Sequence, residues 1–185
     1  KMLNSFSQLE TVNQLGEWIS IKRSQFWLSS IKRSNHYRGA YVDSAFFRFL
    51  GQAPELGRPF SNSDFDSHAP NVVIISHVVW QELYQGREDI LGQALQIEGK
   101  PHTIVGVMAK RNHFPIFSKV WLPTKKNILK PNDAIDILYK LPNRNFEQAF
   151  ETQLSQFFYN SIKDSLSEST KQSGNNVYVE SLTIV

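Results

Sequence analysis

Cysteine is absent from this 185-residue chain. No disulfide, thiolate metal site or cysteine nucleophile is therefore available, and the redox compartment stays open. Long apolar runs are missing as well. No stretch approaches the roughly 18 consecutive apolar residues of a membrane span, and the opening "KMLNSFSQLE" has no apolar core of a signal peptide. Met2 behind Lys1 is compatible with a domain cut from a longer protein. Metal-type histidine pairs are lacking: His36, His68, His77, His102 and His113 never fall two or four residues apart, and no HExxH occurs. Acidic residues are missing from Trp18 to Tyr41, where Lys22, Arg23, Lys32, Arg33 and Arg38 lie. Such a stretch suits nucleic acid, anionic lipid head groups or, most simply, a solvated strand pair with a basic outer face.

Catalytic patterns fail one by one. Ser76 in "VVIISHVVW" sits between strand and helix, but Ile74 and Val78 occupy the positions where a nucleophile elbow needs glycine. "GQAPELG" and "GREDILG" lack the Gly-Lys-Ser/Thr of a phosphate loop. In "SNSDFDSH", Asp64, Asp66 and His68 offer too few carboxylates in register for a calcium loop. No catalytic residue, metal site or cofactor is expected, and the chain reads as a binding, docking or force-transmitting module.

What is present is strong periodicity. A helix is expected around Phe6, Leu9, Val12 and Leu15, then two or three strands over 18–42. "DSAFFRFLG" predicts a short helix capped by Asp43 or Ser44 and stopped by Gly51. Turn-rich Gln52–Asn71 reads as a loop, and as the expected docking surface, because loops on rigid scaffolds carry recognition. "NVVIIS" is a buried strand, Ser76 caps the next helix, and Gly86 ends it. "LGQALQIEGKPHTIVGVM" alternates around a Glu98–Pro101 turn as a hairpin. "NHFPIFSKVWLPT" reads as an extended crossing, "AIDILYKL" as a strand, and "VYVESLTIV" as the last strand. Between these two strands, Phe146, Ala149, Phe150, Leu154, Phe157, Phe158, Ile162 and Leu166 form an aromatic stripe at helical spacing, expected to face a core. Without a regular βαβ repeat, the class is α+β.

Single residues carry local expectations too. Gly57-Arg58 reads as a turn whose arginine forks onto a carboxylate or backbone carbonyls. Gly106, between two valines, suits a bulge or a close backbone approach. Leu122-Pro123 ends an extended run where no ladder N–H is needed.

Read in order, "GAYVDSAFFRFLGQAPELGRPFSNSDFD", "NVVIISHVVWQELYQGREDILGQALQIEGKPHTIVGVM" and "FPIFSKVWLPT" resemble the extracytoplasmic core domain of MacB-type ABC transporter permeases, within the broader FtsX-like family. The resemblance rests on Phe46, Phe47, Leu50, Gly51, Leu56, Gly57, Arg58, Phe60 and Asp64, then Ser76, Trp80, Leu91, Gly92 and Gly99, and finally Val105, Gly106, Val107, Trp121, Leu122 and Pro123. The turn "LPNRN" departs from the family in lacking its usual glycine, and the strand before the first helix is missing or shortened at Lys1. The resemblance implies a two-lobed α+β periplasmic domain. A discontinuous porter-like βαβ lobe would span 1–43 and 118–185, with a small Sabre-like αβ lobe inserted at 44–117. It also implies a parent permease, dimeric in the bacterial inner membrane, with a cytoplasmic ABC ATPase and a periplasmic adaptor or substrate protein as partners. The implied role is to transmit ATP-driven motion and dock those partners on the periplasmic side, without nucleic acid, cofactor or catalysis in the domain. The alternative is a soluble basic nucleic-acid-binding domain resting on Lys22 to Arg38.

Overall fold

A computed structural model describes residues 18–30, 34–111, 114, 117–125, 128, 133–140 and 152. Contacts group the chain into two units, Ile19–Ile137 and a second made of Lys1–Trp18 with Leu138–Val185. Nearly all described residues belong to the first unit, whose fold follows. The expected helix over Phe6–Leu15, the aromatic stripe Phe146–Leu166, the "LPNRN" turn and the last strand lie outside the described residues, apart from Thr152, which is helical.

The basic aromatic stretch is one antiparallel hairpin of two strands, β1 (Trp18–Ser29) and β2 (Ser34–Val42). Alternation sorts its side chains: Phe26, Leu28 and Tyr37 are buried, while Gln25, Trp27, His36 and Arg38 are exposed. Helix α1 (Phe46–Phe49) follows, with Ala45 at the N-cap and no side-chain cap. Asp43 is drawn to the neighbouring strand, accepting from the Ser20 hydroxyl at 3.1 Å as well as from the Ala45 N–H at 3.0 Å. The N-cap position is thus Ala45, not the expected Asp43 or Ser44, while the Asp43 carboxylate still accepts backbone N–H groups at the helix start. Gly51 closes the turn at φ +63.

After β3 (Leu56–Gly57) and a 3₁₀ turn at Asn62–Phe65 comes β4 (Val72–Ser76), buried throughout. The Ser76 hydroxyl accepts the Val79 N–H at 3.3 Å and caps α2 (His77–Tyr84). Gln85 already takes the left-handed conformation at φ 58, one residue before the expected Gly86. The hairpin is β5 (Ala94–Ile97) and β6 (Lys100–Met108). Ile97 pairs with Lys100, so the loop is only Glu98-Gly99, at φ 49 and 72. Two positive φ values match the twist of the flanking strands, which makes the turn tighter than the sequence suggests. The last strands are β7 (Val120–Pro123) and β8 (Asp136–Tyr139).

Six strands close on themselves. β1 pairs with β2, β2 with β7 in parallel, β7 with β4, β4 with β6 in parallel, β6 with β5, and β5 back with β1. β3 adds to β6, and β8 lies beside β1. Closure leaves few free edges. One side of the ring gathers Phe26, Leu28, Val73, Ile75, Leu95, Ile97, Ile104, Val107, Val120 and Leu122, joined by Val79 and Leu83 of α2. The alternate residues Ile74 and Trp121 are buried too, so β4 and β7 are covered on both faces. The expected crossing is thus a strand hydrogen-bonded between β2 and β4. Pro123 is its last residue, and the next N–H, of Thr124, donates to Val42 O at 2.9 Å.

The ring joins strands that the resemblance assigns to separate lobes. β1, β2 and β7 fall within 1–43 and 118–185, while β4, β5 and β6 fall within 44–117. The β7–β4 and β5–β1 ladders join strands from the two ranges.

Candidate functional site

Gln52–Asn71 is braced at its start, its middle and its end. At the start, Glu55 N–H donates to Val107 O at 2.8 Å and Arg58 N–H to Val105 O at 2.9 Å, which lays β3 on β6. Gly57 sits at φ +81, where a side chain would also run into the Val105 carbonyl and Leu91. A Cβ on Gly106 would meet Pro54 at 3.1 Å and the Arg58 carbonyl oxygen. Here β6 bulges: Val73 pairs with Ile104 but Ile74 with Gly106, which leaves Val105 as the extra residue. Of the two alternatives expected at Gly106, the close backbone approach is at Gly106 itself, and the bulge is at the preceding Val105.

In the middle, the Arg58 guanidinium forks onto Asp64, with Nη1 to Oδ2 at 2.7 Å and Nη2 to Oδ1 at 3.2 Å, and Nη1 also donates to Pro59 O at 3.0 Å. Asp64 accepts as well from the Ser61 N–H at 2.7 Å and the Ser61 hydroxyl at 2.9 Å. Burial by itself would raise the Asp64 carboxyl, but the arginine fork and the Ser61 donors outweigh it and hold it below the usual range. The same hydrogen bonds raise the Arg58 guanidinium further. Beneath the clip, Phe60 packs between Phe47 at 5.8 Å and Phe65 at 6.0 Å, ring centre to ring centre.

At the end of the loop, the buried Lys125 ammonium donates to Ala69 O at 2.6 Å, Asn71 Oδ1 at 3.3 Å and Pro70 O at 3.4 Å. Asn71 O in turn accepts the Thr103 N–H at 2.8 Å. A lysine in "PTKKN" carries no sequence signal of burial, so sequence reasoning passes over Lys125. Its neighbours in space supply its role.

Several residues behind the resemblance meet at one crossing: Leu56, Gly57, Arg58, Leu91, Val105, Gly106 and Val107. Others act apart. Phe46 meets Phe47 edge-on and stacks on Phe114, whose carbonyl accepts the Trp121 indole N–H at 3.0 Å. The Trp80 indole N–H donates to Arg87 O at 2.8 Å. Leu50 and Gly51 close α1, Gly92 at φ +81 donates to Ile104 O at 2.9 Å, and Gly99 completes the hairpin turn. Ser76 is the cap, while Leu122 and Pro123 complete β7.

The basic hairpin is partly neutralised. Lys22 pairs with Asp133 at 2.6 Å, and Arg23 with Asp136 at 2.6 Å. Arg38 lies over the Phe117 ring at 5.7 Å from its centroid, whereas Lys32 and Arg33 lie outside the described residues. Among the described residues no three His, Asp or Glu side chains converge as a metal site, and no helix is long and apolar enough to cross a membrane.

Among the residues of the first unit that the structure describes, a closed mixed ring of strands, two short α-helices and a loop braced along its length define an α+β domain. The chain belongs to the MacB-like periplasmic core domain family, whose family model matches residues 7–157. Over 85 residues it is 36% identical to a probable export ATP-binding/permease protein of Pseudomonas fluorescens and 31% identical to the macrolide export ATP-binding/permease protein MacB 1 of Yersinia pestis. Each match covers 44% of this chain and 13% of the relative, so the chain corresponds to a small part of those proteins. Among solved structures, the periplasmic region of MacB from Actinobacillus actinomycetemcomitans superposes with a TM-score of 0.67 at 15% identity, over 92% of this chain and 83% of that one. The extracellular domain of the noncanonic ABC-type transporter YknZ from Gram-positive bacteria gives 0.64 at 15% identity, over 80% and 75%. These two likenesses establish the α+β fold.

Proposed function

We propose that the chain is the periplasmic domain of an ABC-type export permease, transmitting ATP-driven motion of the parent's membrane helices to a partner docked on Gln52–Asn71. Family membership supports the periplasmic setting. The names of the curated relatives support a parent that works with an ATP-hydrolysing component. The observation that carries the docking reading is the three-point bracing of an otherwise exposed loop by the Gly57–Gly106 crossing, the Arg58–Asp64 fork and the Lys125 ammonium. A loop held this firmly presents a pre-formed surface, so little ordering entropy opposes docking. The wider reading places the parent as a dimer in the bacterial inner membrane, with an adaptor or substrate protein as partner. It gives the domain no cofactor and no reaction of its own.

The test replaces the exposed Ser63, Asp66, Ser67 and His68 together by glycine or serine in the full transporter, leaving Asp64 in place. Export should fall while ATPase activity and the melting temperature stay near wild type. Unchanged export overturns docking on this loop.

A further inference from the structure

We infer a second interaction surface, on the outer face of the β1–β2 hairpin, that binds an extended peptide segment carrying a carboxylate between two apolar side chains. It goes beyond the loop reading and shares no residue with it. Three large hydrophobic side chains stand exposed among the described residues: Trp27 at 42%, Leu91 at 44% and Phe117 at 61%. Two of them flank Arg38. Trp27 lies opposite His36 in the ladder, and the rings meet edge-on at 4.4 Å. His36 and Arg38 are same-face neighbours on β2. The Arg38 guanidinium then reaches the Phe117 ring at 5.7 Å. Along this line the face reads aromatic, cation, aromatic.

Phe117 holds a left-handed φ of 67. A bulky side chain adopts that conformation at a cost, and this one is not recovered by burying the ring. Strain of this kind clusters where a side chain is held out for a ligand. Charge then selects the partner. On the same hairpin Lys22 and Arg23 are answered by Asp133 and Asp136, whereas Arg38 has no carboxylate partner among the described residues. The nearby Glu98 carboxylate is engaged elsewhere, accepting the Trp27 backbone N–H at 2.7 Å. A guanidinium stacked on a ring keeps its fork open for a carboxylate, which it takes bidentately.

Spacing completes the match. Alternate side chains of an extended segment lie about 6.4–6.8 Å apart on one face, close to the step from Arg38 to Phe117. In the inferred pose an apolar–x–acidic–x–apolar segment sets its carboxylate on Arg38 and its apolar side chains on Phe117 and on Trp27, the diagonal neighbour of Arg38 in the ladder. Tryptophan and arginine are the residue types that most often dominate binding energy at such contacts.

The test uses the full chain and a labelled seven-residue peptide, with leucine at its second and sixth positions, glutamate at its fourth and serine elsewhere, read by fluorescence anisotropy. Saturable binding is expected. Arg38→Gln, or glutamine in place of the peptide's glutamate, should each weaken it about tenfold. Trp27→Ala and Phe117→Ala should each weaken it roughly threefold to tenfold. All three side chains are exposed, and circular dichroism melting confirms that the variants fold. Absence of saturable binding, or equal binding by the Arg38→Gln chain or the glutamine peptide, overturns the inference. Sedimentation with phosphatidylglycerol vesicles that depends on Arg38 and Trp27, without peptide binding, also overturns it and assigns the face to lipid.

Discussion

Gly106 and Arg58 run backbone against backbone, so close that a Cβ on Gly106 would stand 2.8 Å from the Arg58 carbonyl oxygen. The Arg58 main chain and the closed Pro54 ring face it, and neither can swing aside. Gly106→Ala should cost about 2–4 kcal/mol. Gly57→Ala should cost as much, through its φ of +81 and the Val105 carbonyl. Gly92→Ala is the control: φ is also +81, but nothing lies within 4 Å of the added carbon, so about 1 kcal/mol is expected. Urea unfolding of the three variants should show this order. A Gly57→Ala cost no larger than that of Gly92→Ala would show that strain alone, and not the crossing, makes glycine necessary at Gly57.

Asp64→Asn keeps the shape of the clip and removes its charge. At neutral pH the loss should be about 1–3 kcal/mol, because hydrogen bonds to a charged group go with it. The Asp64 carboxyl is depressed in the folded state, so its contribution is full above the unfolded pKa and disappears as pH falls through the folded one. The gap in stability between wild type and Asp64→Asn should therefore close on acidification. Asp43 behaves oppositely. Burial raises its carboxyl despite the Ser20 and Ala45 donors, so protonation on acidification favours the fold there. Melting curves from neutral to acid pH, for wild type and Asp64→Asn, measure the gap. A gap that widens toward acid contradicts the clip.

Lys125→Met fills the same space without donors. It strands the carbonyls of Ala69 and Pro70 and the Asn71 side-chain oxygen, at about 1–3 kcal/mol. The exit of the loop should then open locally, before the ring unfolds. Limited proteolysis at the exposed Ser67-His68 bond region should cut the variant at protease levels that spare wild type. Identical digestion of the two would show that Lys125 does not hold the loop.

Duplex DNA should bind weakly at most. Lys22 and Arg23 are spoken for by Asp133 and Asp136, so the hairpin offers fewer cations to phosphate than its sequence suggests. A salt titration decides the matter. Tight binding that collapses steeply with salt would restore the nucleic-acid reading.

What the amino-acid sequence determined by itself is local. The buried run of β4, the Ser76 cap, a hairpin turn starting at Glu98 and the need for glycine at Gly106 each depend on one residue's shape or on neighbours a few positions away. The fork of Arg58 was legible as a fork, because guanidinium geometry is intrinsic. That its partner is Asp64 was left open between a carboxylate and backbone carbonyls. Other features were decided only in three dimensions. The ladders that close the ring, the burial of Lys125 under the loop exit and the pairing of Lys22 with Asp133, 111 residues away, leave no periodic trace. Hydrophobic period records which face of an element is buried, but not which element covers it. Partner choice is set by long-range packing and ladder register, and these exist only once the chain has closed on itself.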